Sequence, residues 1–451
     1  MKTTRRKFCE NSIKIAAGLG MVSMAPASMS CTNLFNNKIV VGLVGCKGMG
    51  FSDLQHFIAL EEVEVKALCD VDSNVLNERA GNVAKLMEEK EKAGLKVAFK
   101  KPELYSDYRK LLEDKEIDAV IIGTPDHWHT LIAIDAMDAG KHIYVEKPMA
   151  NSIHENLLIE RAANKYNKVV QVGQWQRSDK HWQDAMDYVH SGVLGQVRLV
   201  KAWAYMNWFR VKPQPDGPVP PGVDYDFWLG PAEERPFNPN RFHFNFRWYW
   251  DYAGGLMTDW GVHMLDFALY GMKAGRPKSI MSSGGMFSHP PHTMETPDTQ
   301  QTIFEFENFN LLWEDAVGIE EGPYRRQHGV AFMGDWGTLV VDRNGWEVIP
   351  ETNYKPKEKI IEAVPFTKGL GIGLEEHVKN FVSCVKSGNR DTNANVTIGK
   401  NVAMVGHMGN IAYRVGEKIY WDDEKNTFNN EKANALIKPN YRAPWTLPVI
   451  S

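Results

Sequence analysis

Cysteine is scarce, with five in 451 residues. None sits in a CxxC pair, which excludes a disulfide scaffold and argues against a thiolate zinc or thioredoxin-type site. An excess of basic charge is also missing: 52 Lys+Arg stand against 56 Asp+Glu, a formal charge of -4, so no electrostatic footprint for nucleic acid is present. No apolar run is long enough to span a bilayer, since the uncharged stretch Ile15 to Ser30 is weakly apolar and broken by Gly18, Gly20 and Pro26. Internal repeats and low-complexity tracts are lacking too. With 43% hydrophobic and 24% charged residues, the chain has a globular composition, with length for about three units at roughly 150 residues each. What it has in quantity is tryptophan, 14 residues.

Residues 1–30 read as a targeting segment rather than part of the fold. A basic start (Lys2, Arg5, Arg6, Lys7) precedes the uncharged stretch, and Thr4-Arg5-Arg6-Lys7-Phe8 resembles the twin-arginine export signal. Two exits stay open. Ala25-Pro26-Ala27 offers a small-x-small cleavage site, whereas Ser28-Met29-Ser30-Cys31 resembles a loose lipobox that would leave Cys31 lipid-modified. The expectation is a protein handed to the twin-arginine export machinery, periplasmic, and either free or membrane-tethered as a lipoprotein. Removal of residues 1–30 takes away five basic groups and one acid, leaving a distinctly acidic remainder.

The continuous apolar run Lys38 to Gly45 reads as a parallel strand buried on both faces, followed by a glycine-rich turn and a helix from about Ser52. Gly45 and Gly50 fill the first and third places of a G-x-G-x-x-G fingerprint; Lys47 stands at the second, with Gly48 beside it and Met49 following. A second strand, Val63 to Cys69, ends in Asp70, placed to accept ribose hydroxyls and repel a 2′-phosphate, which favours NAD over NADP. Asp72 is the alternative for this role. Further strands are read at Ile117–Gly123 and His142–Val145, and Val169–Gly173 closes the sheet. Strands alternating with helices at this spacing predict an α/β protein opening with a doubly wound parallel sheet of the Rossmann type, its ligand at the carboxyl ends of the strands.

Glu146-Lys147-Pro148 after a strand, the loop Thr124-Pro125-Asp126-His127-Trp128-His129, and Gly254-Gly255 followed by Asp259 and His263 together resemble the Gfo/Idh/MocA family of sugar and cyclitol dehydrogenases. The likeness covers nearly all of the chain after residue 38. It implies NAD held by Gly45, Lys47, Gly48, Met49, Gly50, Asp70, Thr124, Pro125, His129, Glu146 and Lys147. It implies catalytic roles for Lys147, Asp259 and His263, with Lys147 touching both nicotinamide ribose and reacting hydroxyl. Physically, loss of a hydride from an alcohol carbon needs a base for the hydroxyl proton, and His263 suits a pKa near working pH. Asp259, four residues earlier on the segment Leu256–Met272, is expected on the same helical face. The bland reading, in which both merely decorate a helix, is set against the Lys147 motif upstream. His127, His129, His289 and His292 lack carboxylate or cysteine partners at metal-site spacing, so no metal is expected.

Gln174 to Arg177 leads from the sheet toward the substrate side, which makes Arg177 a candidate substrate contact. From Arg241 to Tyr252 every even position is aromatic and nearly every odd one polar, so an extended strand is expected to place Arg247 or Trp250 at the pocket. Hairpins follow, marked by Asn344-Gly345, then helices at 374–386 and 398–415. The reading is an NAD-binding domain over 38–175, an α+β domain over 176–416 with a large, open, mainly antiparallel sheet, and a wrapping tail over 417–451. The open face is expected to bury against another copy in a homo-oligomer.

Export bears on function. Dinucleotide is not expected free outside the cytoplasm, and a retained cofactor must be returned to its starting state in each cycle. Two readings follow for a small carbohydrate substrate. One is a sugar oxidoreductase with tightly held NAD. The other is an NAD-dependent glycosidase, known among exported members of the family, in which oxidation, elimination, hydration and re-reduction leave no net redox change. A non-catalytic sugar or nucleotide sensor is the third and weakest.

Overall fold

The apolar run after Lys38 becomes β1 (Ile39–Val44), flanked in a single sheet by β2 (Val63–Cys69), β3 (Glu103–Tyr105), β4 (Ala119–Ile122), β5 (His142–Val145) and β6 (Val170–Val172). The order is β3-β2-β1-β4-β5-β6, every pair parallel. All four residues of β4 are buried, because helices cover both faces of the sheet. The strand order reverses between β1 and β4, which opens the crevice in which such sheets bind ligands. This computed structural model describes residues 38–92, 94, 101–208, 211–290 and 292–450. The export segment 1–30 and Cys31 lie outside the described residues.

The second sheet has ten strands: β7 (Val197–Met206), β8 (Ser279–Gly285), β9 (Thr299–Glu305), β10 (Asn310–Val317), β11 (His328–Gly334), β12 (Gly337–Asp342), β13 (Gly345–Pro350), β14 (Val364–Lys368), β15 (Ile419–Asp422) and β16 (Thr427–Phe428). Their order is β14-β13-β12-β11-β7-β10-β9-β8-β15-β16. Only β7 and β10 pair in parallel; the rest are antiparallel. One face is buried beneath the helices Lys180–His190, Gly261–Met272 and Val396–Val415, with Trp182, Phe267, Trp313 and Phe332 wholly buried. The other leaves Leu199, Met281, Ile303 and Ile349 exposed, and Met281 and Ile303 are direct cross-strand partners.

Two expectations need correction. Residues 241–252 do not form a strand; they wind through the 3-10 turns Pro239–Arg241 and His243–Trp248. The Asn238 side chain accepts from Asn240 N at 2.9 Å and starts the first turn, and His243 takes φ 50°, which an extended strand cannot contain. The alternation in the sequence reports turns whose aromatics Phe242, Trp248, Tyr249 and Tyr252 point into the core. The tail is also not all wrapping: its first part supplies β15 and β16, and only its end reaches the nucleotide-binding half, where Trp445 packs edge-on against Trp128 at 4.9 Å and Tyr441 bonds to Glu155.

The chain also crosses back earlier. The helix Gly373–Ser387 packs on the first sheet through Phe381, which sits 5.8 Å from both the Phe57 and Tyr144 rings and is 0% exposed. Phe381→Ala should therefore destabilise the protein by about 3–5 kcal/mol, read as a lower denaturant midpoint with an unchanged slope.

Candidate functional site

Three glycines set the nucleotide end. A Cβ on Gly45 (φ 87°) would come within 2.6 Å of the Gly123 carbonyl carbon, and one on Gly50 within 2.3 Å of the Gly45 oxygen. The β1 turn, its helix and the end of β4 thus approach at backbone distance. At Gly48 (φ 57°) an added Cβ meets nothing within 4 Å. The helix Met49–Ala59 starts there without a side-chain cap, so its first N–H groups are available to an anion. Gly48 therefore supplies the open backbone that the fingerprint puts one residue earlier, while Lys47 lines the cavity beside it.

Asp70 closes the far side of this end. Its Oδ2 accepts from Cys46 N at 2.8 Å and Oδ1 from Asp72 N at 2.9 Å. The carboxylate is fixed and lines the cavity, and burial pushes its pKa up. Asp72 is already engaged: it accepts from Asn74 and pairs with His243 Nε2 at 3.1 Å. Thr124 and Pro125 line the wall as expected. His129 does not. Its ring nitrogens lie 2.8 Å from the Pro148 oxygen and 2.9 Å from that of Thr124, so it is wedged between two loops behind the wall and, when neutral, donates to one of them. Burial holds it neutral, with a pKa of about 4.

The chemical end lies where the two sheets' loops meet. Lys147 Nζ sits 2.5 Å from Asp259 Oδ1 and 3.1 Å from the Asp259 carbonyl oxygen. Arg247 Nε stands 3.2 Å from the other carboxylate oxygen, its guanidinium 3.8 Å from the centre of the Phe244 ring. Burial alone would raise the Asp259 carboxyl, but Lys147 and Arg247 override it and hold its pKa at about 2. Glu146 is buried on the same wall. A Cβ on Gly173 would overlap its Oε1 at 1.9 Å, so Gly173 makes its room. Burial lifts Glu146 to about 7. Asp53, fully buried in the first helix, faces it and is pushed up as well, by burial and then by Glu146.

Asp259 and His263 do not share one continuous helix. Helix Gly255–Asp259 ends at Trp260 and a second runs Gly261–Met272, so Asp259 turns to Lys147 rather than to His263. The His263 Nδ1 is buried without a partner. Burial, then Lys147 and Arg343, hold the imidazole well below its usual pKa. This disfavours the charged imidazolium at the position expected to hold the base.

Arg177 and Trp250 are not at the pocket. Arg177 makes a bidentate pair with the buried Asp266 at 2.6–2.9 Å and stacks on Tyr270. Trp250 packs against Tyr413 and Arg414. In their place the cavity, of about 870 Å³, is lined by Asp126, Trp175, Trp208, Trp260 and Arg343. Asp126 opens the helix after the Thr124-Pro125 loop, and burial pushes its carboxyl well up. The Asn344-Gly345 signal correctly marks the β12–β13 turn, but nothing local says that Arg343 on that turn enters a cavity.

Taken together, an open glycine turn, an uncapped helix start and a fixed carboxylate at the end of β2 suit a dinucleotide, with Lys147 at its reactive end. Two outcomes are expected from variants. Arg177→Ala strands the buried Asp266 and should cost about 3–5 kcal/mol of stability while leaving KM unchanged. The pair with Lys147 keeps Asp259 ionised below the unfolded value of about 3.9. Its contribution is full above that pH and is lost as pH falls toward about 2. Over that window the melting temperature of Asp259→Asn should therefore fall less than that of the wild type.

Residues 39–174 match a family described as an oxidoreductase family with an NAD-binding Rossmann fold. Residues 181–280 and 371–447 match its C-terminal alpha/beta domain, and 232–338 match a Gfo/Idh/MocA C-terminal domain. A glycosyl hydrolase family 109 protein of Shewanella baltica (strain OS155) is 32% identical over 174 residues, 38% of this chain and 35% of that protein. An α-N-acetylgalactosaminidase of Shewanella oneidensis is 32% identical over 225 residues, 46% of each. The chain thus matches less than half the length of these curated relatives. The solved structure of levoglucosan dehydrogenase in complex with NADH and levoglucosan shares the fold, with TM-score 0.60 at 19% identity over 85% of this chain and 99% of that one. The chain belongs to the Gfo/Idh/MocA oxidoreductase family.

Proposed function

We propose that the protein oxidises a hydroxyl of a sugar or cyclitol using tightly held NAD. The observation that carries this reading is the Lys147–Asp259 pair, 2.5 Å apart, in one cavity with the open Gly48 turn and Asp70. Gly45, Gly48, Met49, Asp70, Thr124 and Pro125 would hold the dinucleotide, which supplies a two-electron acceptor when bound. NAD rather than NADP is favoured because a 2′-phosphate would face the Asp70 carboxylate. Lys147, held by Asp259, donates to the oxygen of the reacting hydroxyl and stabilises charge growing there. His263 lines the same cavity and is the side chain that takes the hydroxyl proton as the C–H bond breaks. Trp208, at the cavity wall, offers an apolar surface for the face of a sugar ring.

A second reading is favoured by the likeness to the two Shewanella proteins: cleavage of a glycosidic bond with no net consumption of the nucleotide. The same Lys147, Asp259 and His263 serve both readings, since each needs a proton held and moved at a sugar hydroxyl. The twin-arginine-like Thr4 to Phe8 segment supports export to the periplasm, with Cys31 open to lipidation. The exposed Leu199, Met281, Ile303 and Ile349 on the open sheet face support association with a second copy.

Mass spectrometry of the purified protein should find bound NAD. Incubation with a panel of glycosides and free sugars, without added nucleotide, separates the readings: a keto-sugar product supports the oxidoreductase and aglycone release the glycosidase. Lys147→Ala should lower turnover on any active substrate by about 10²- to 10⁴-fold. Near-normal turnover would remove Lys147 from the chemistry.

A further inference from the structure

Arg343 is the one cation at the chemical end of the cavity for which the described residues supply no counter-ion within ion-pair distance. Lys147 and Arg247 share Asp259. Arg343 leaves the β12–β13 turn and runs between two indoles, 4.7 Å from the Trp175 ring centre and 4.2 Å from that of Trp260. Its Nη2 donates to a neutral acceptor, Gln176 Oε1, at 3.1 Å, and its Nε is buried with no partner. The turn is built to hold it there: Asp342 Oδ1 accepts from Asn344 N at 2.8 Å and Gly345 N at 3.0 Å. Next to it, His328 is buried with both ring nitrogens unpartnered, 4.6 Å from the Trp260 ring.

A guanidinium in a dry, aromatic-walled cavity without a counter-ion is costly unless a ligand supplies one. The other carboxyls of this end do not compensate. Burial drives Glu146 to about 7 and Asp126 well up, so neither is a dependable anion. Burial likewise lowers His328 to about 3 and Arg343 only to about 10. Lys147, Arg247 and Arg343 thus share this end of the cavity with one carboxylate, Asp259, that is already paired twice.

We propose that the substrate is an anionic sugar, its negative group bound by the Arg343 guanidinium that the Trp175 and Trp260 rings hold in place. This rests on the reading of the cavity as a sugar site and adds the charge of its ligand. A ring carboxylate and a sulfate ester share the required chemistry, a compact anion with two oxygens for a planar fork of donors. The pyrophosphate of the dinucleotide belongs at the Gly48 turn, so Arg343 is not needed to hold it.

The test uses the NAD-loaded protein and three ligands: methyl glucoside, methyl glucuronide and glucose 6-sulfate. Binding is followed by quenching of tryptophan fluorescence and by calorimetry. The wild type should prefer an anionic ligand over methyl glucoside, and the preferred one tells carboxylate from sulfate. Arg343→Gln should weaken the anionic ligand roughly 10- to 100-fold, the worth of a charge-assisted hydrogen bond, without altering affinity for NAD or for the neutral glycoside. Arg343→Lys should keep part of the preference. Equal affinity of the wild type for neutral and anionic ligands would overturn the proposal alone. Equal weakening of both by Arg343→Gln would overturn it too, as would loss of NAD binding. If no sugar of any charge binds, the reading of the cavity as a sugar site fails and the proposal falls with it.

Discussion

Everything at the chemical end of this protein depends on one ion pair formed between the loops of two sheets. Lys147 comes from the end of β5 in the parallel sheet, and Asp259 from a short helix that rides on the ten-stranded one. Their approach to 2.5 Å fixes the ammonium at the chemical end of the cavity and keeps the carboxylate ionised despite burial. Without Asp259 the Lys147 charge would have a carbonyl oxygen but no counter-ion; without Lys147 and Arg247 the Asp259 carboxyl would be pushed up as Asp126 is.

The remainder of the fold holds those two sheets in place. Helix Gly373–Ser387 returns to seal the first sheet with Phe381, and Trp445 closes against Trp128 from the tail. At the nucleotide end, His243 reaches Asp72 while Ser73 N and Asp224 N bond to Gly222 O and Val71 O, both at 2.9 Å. Each contact joins residues more than a hundred positions apart, so the cavity exists only once the chain has crossed over more than once. Electrostatics follows the same rule: burial pushes the Glu146 and Asp126 carboxyls up, while Lys147 and Arg247 hold Asp259 down.

The sequence was legible where chemistry is local. The strands of the first sheet, the glycine turn, Asp70 and the Lys147 segment announce themselves through buried apolar runs and backbone constraints that act over a few residues. It misled where a local pattern admits two geometries. The aromatic alternation of 241–252 satisfies a strand, yet Pro239 and the turn at His243 wind it into 3-10 turns. Arg177 and Trp250 are of the residue types that sugars favour, but a buried Asp266 and a neighbouring Arg414 claim them first. The spacing of Asp259 and His263 fits one helical face, but the helix is interrupted at Trp260, and Asp259 pairs with Lys147 while His263 Nδ1 stays unpartnered.

The sequence by itself determined the two-sheet architecture, the family, and the identities of Lys147, Asp259 and the nucleotide-binding turn. Hydrophobic period, glycine placement and short motifs are properties of neighbouring residues. Only the tertiary structure decided the pairing of Lys147 with Asp259, the burial of His263, the withdrawal of His129 behind the wall, and the entry of Arg343. These depend on burial and on distances between residues far apart in the chain, and no local pattern encodes either.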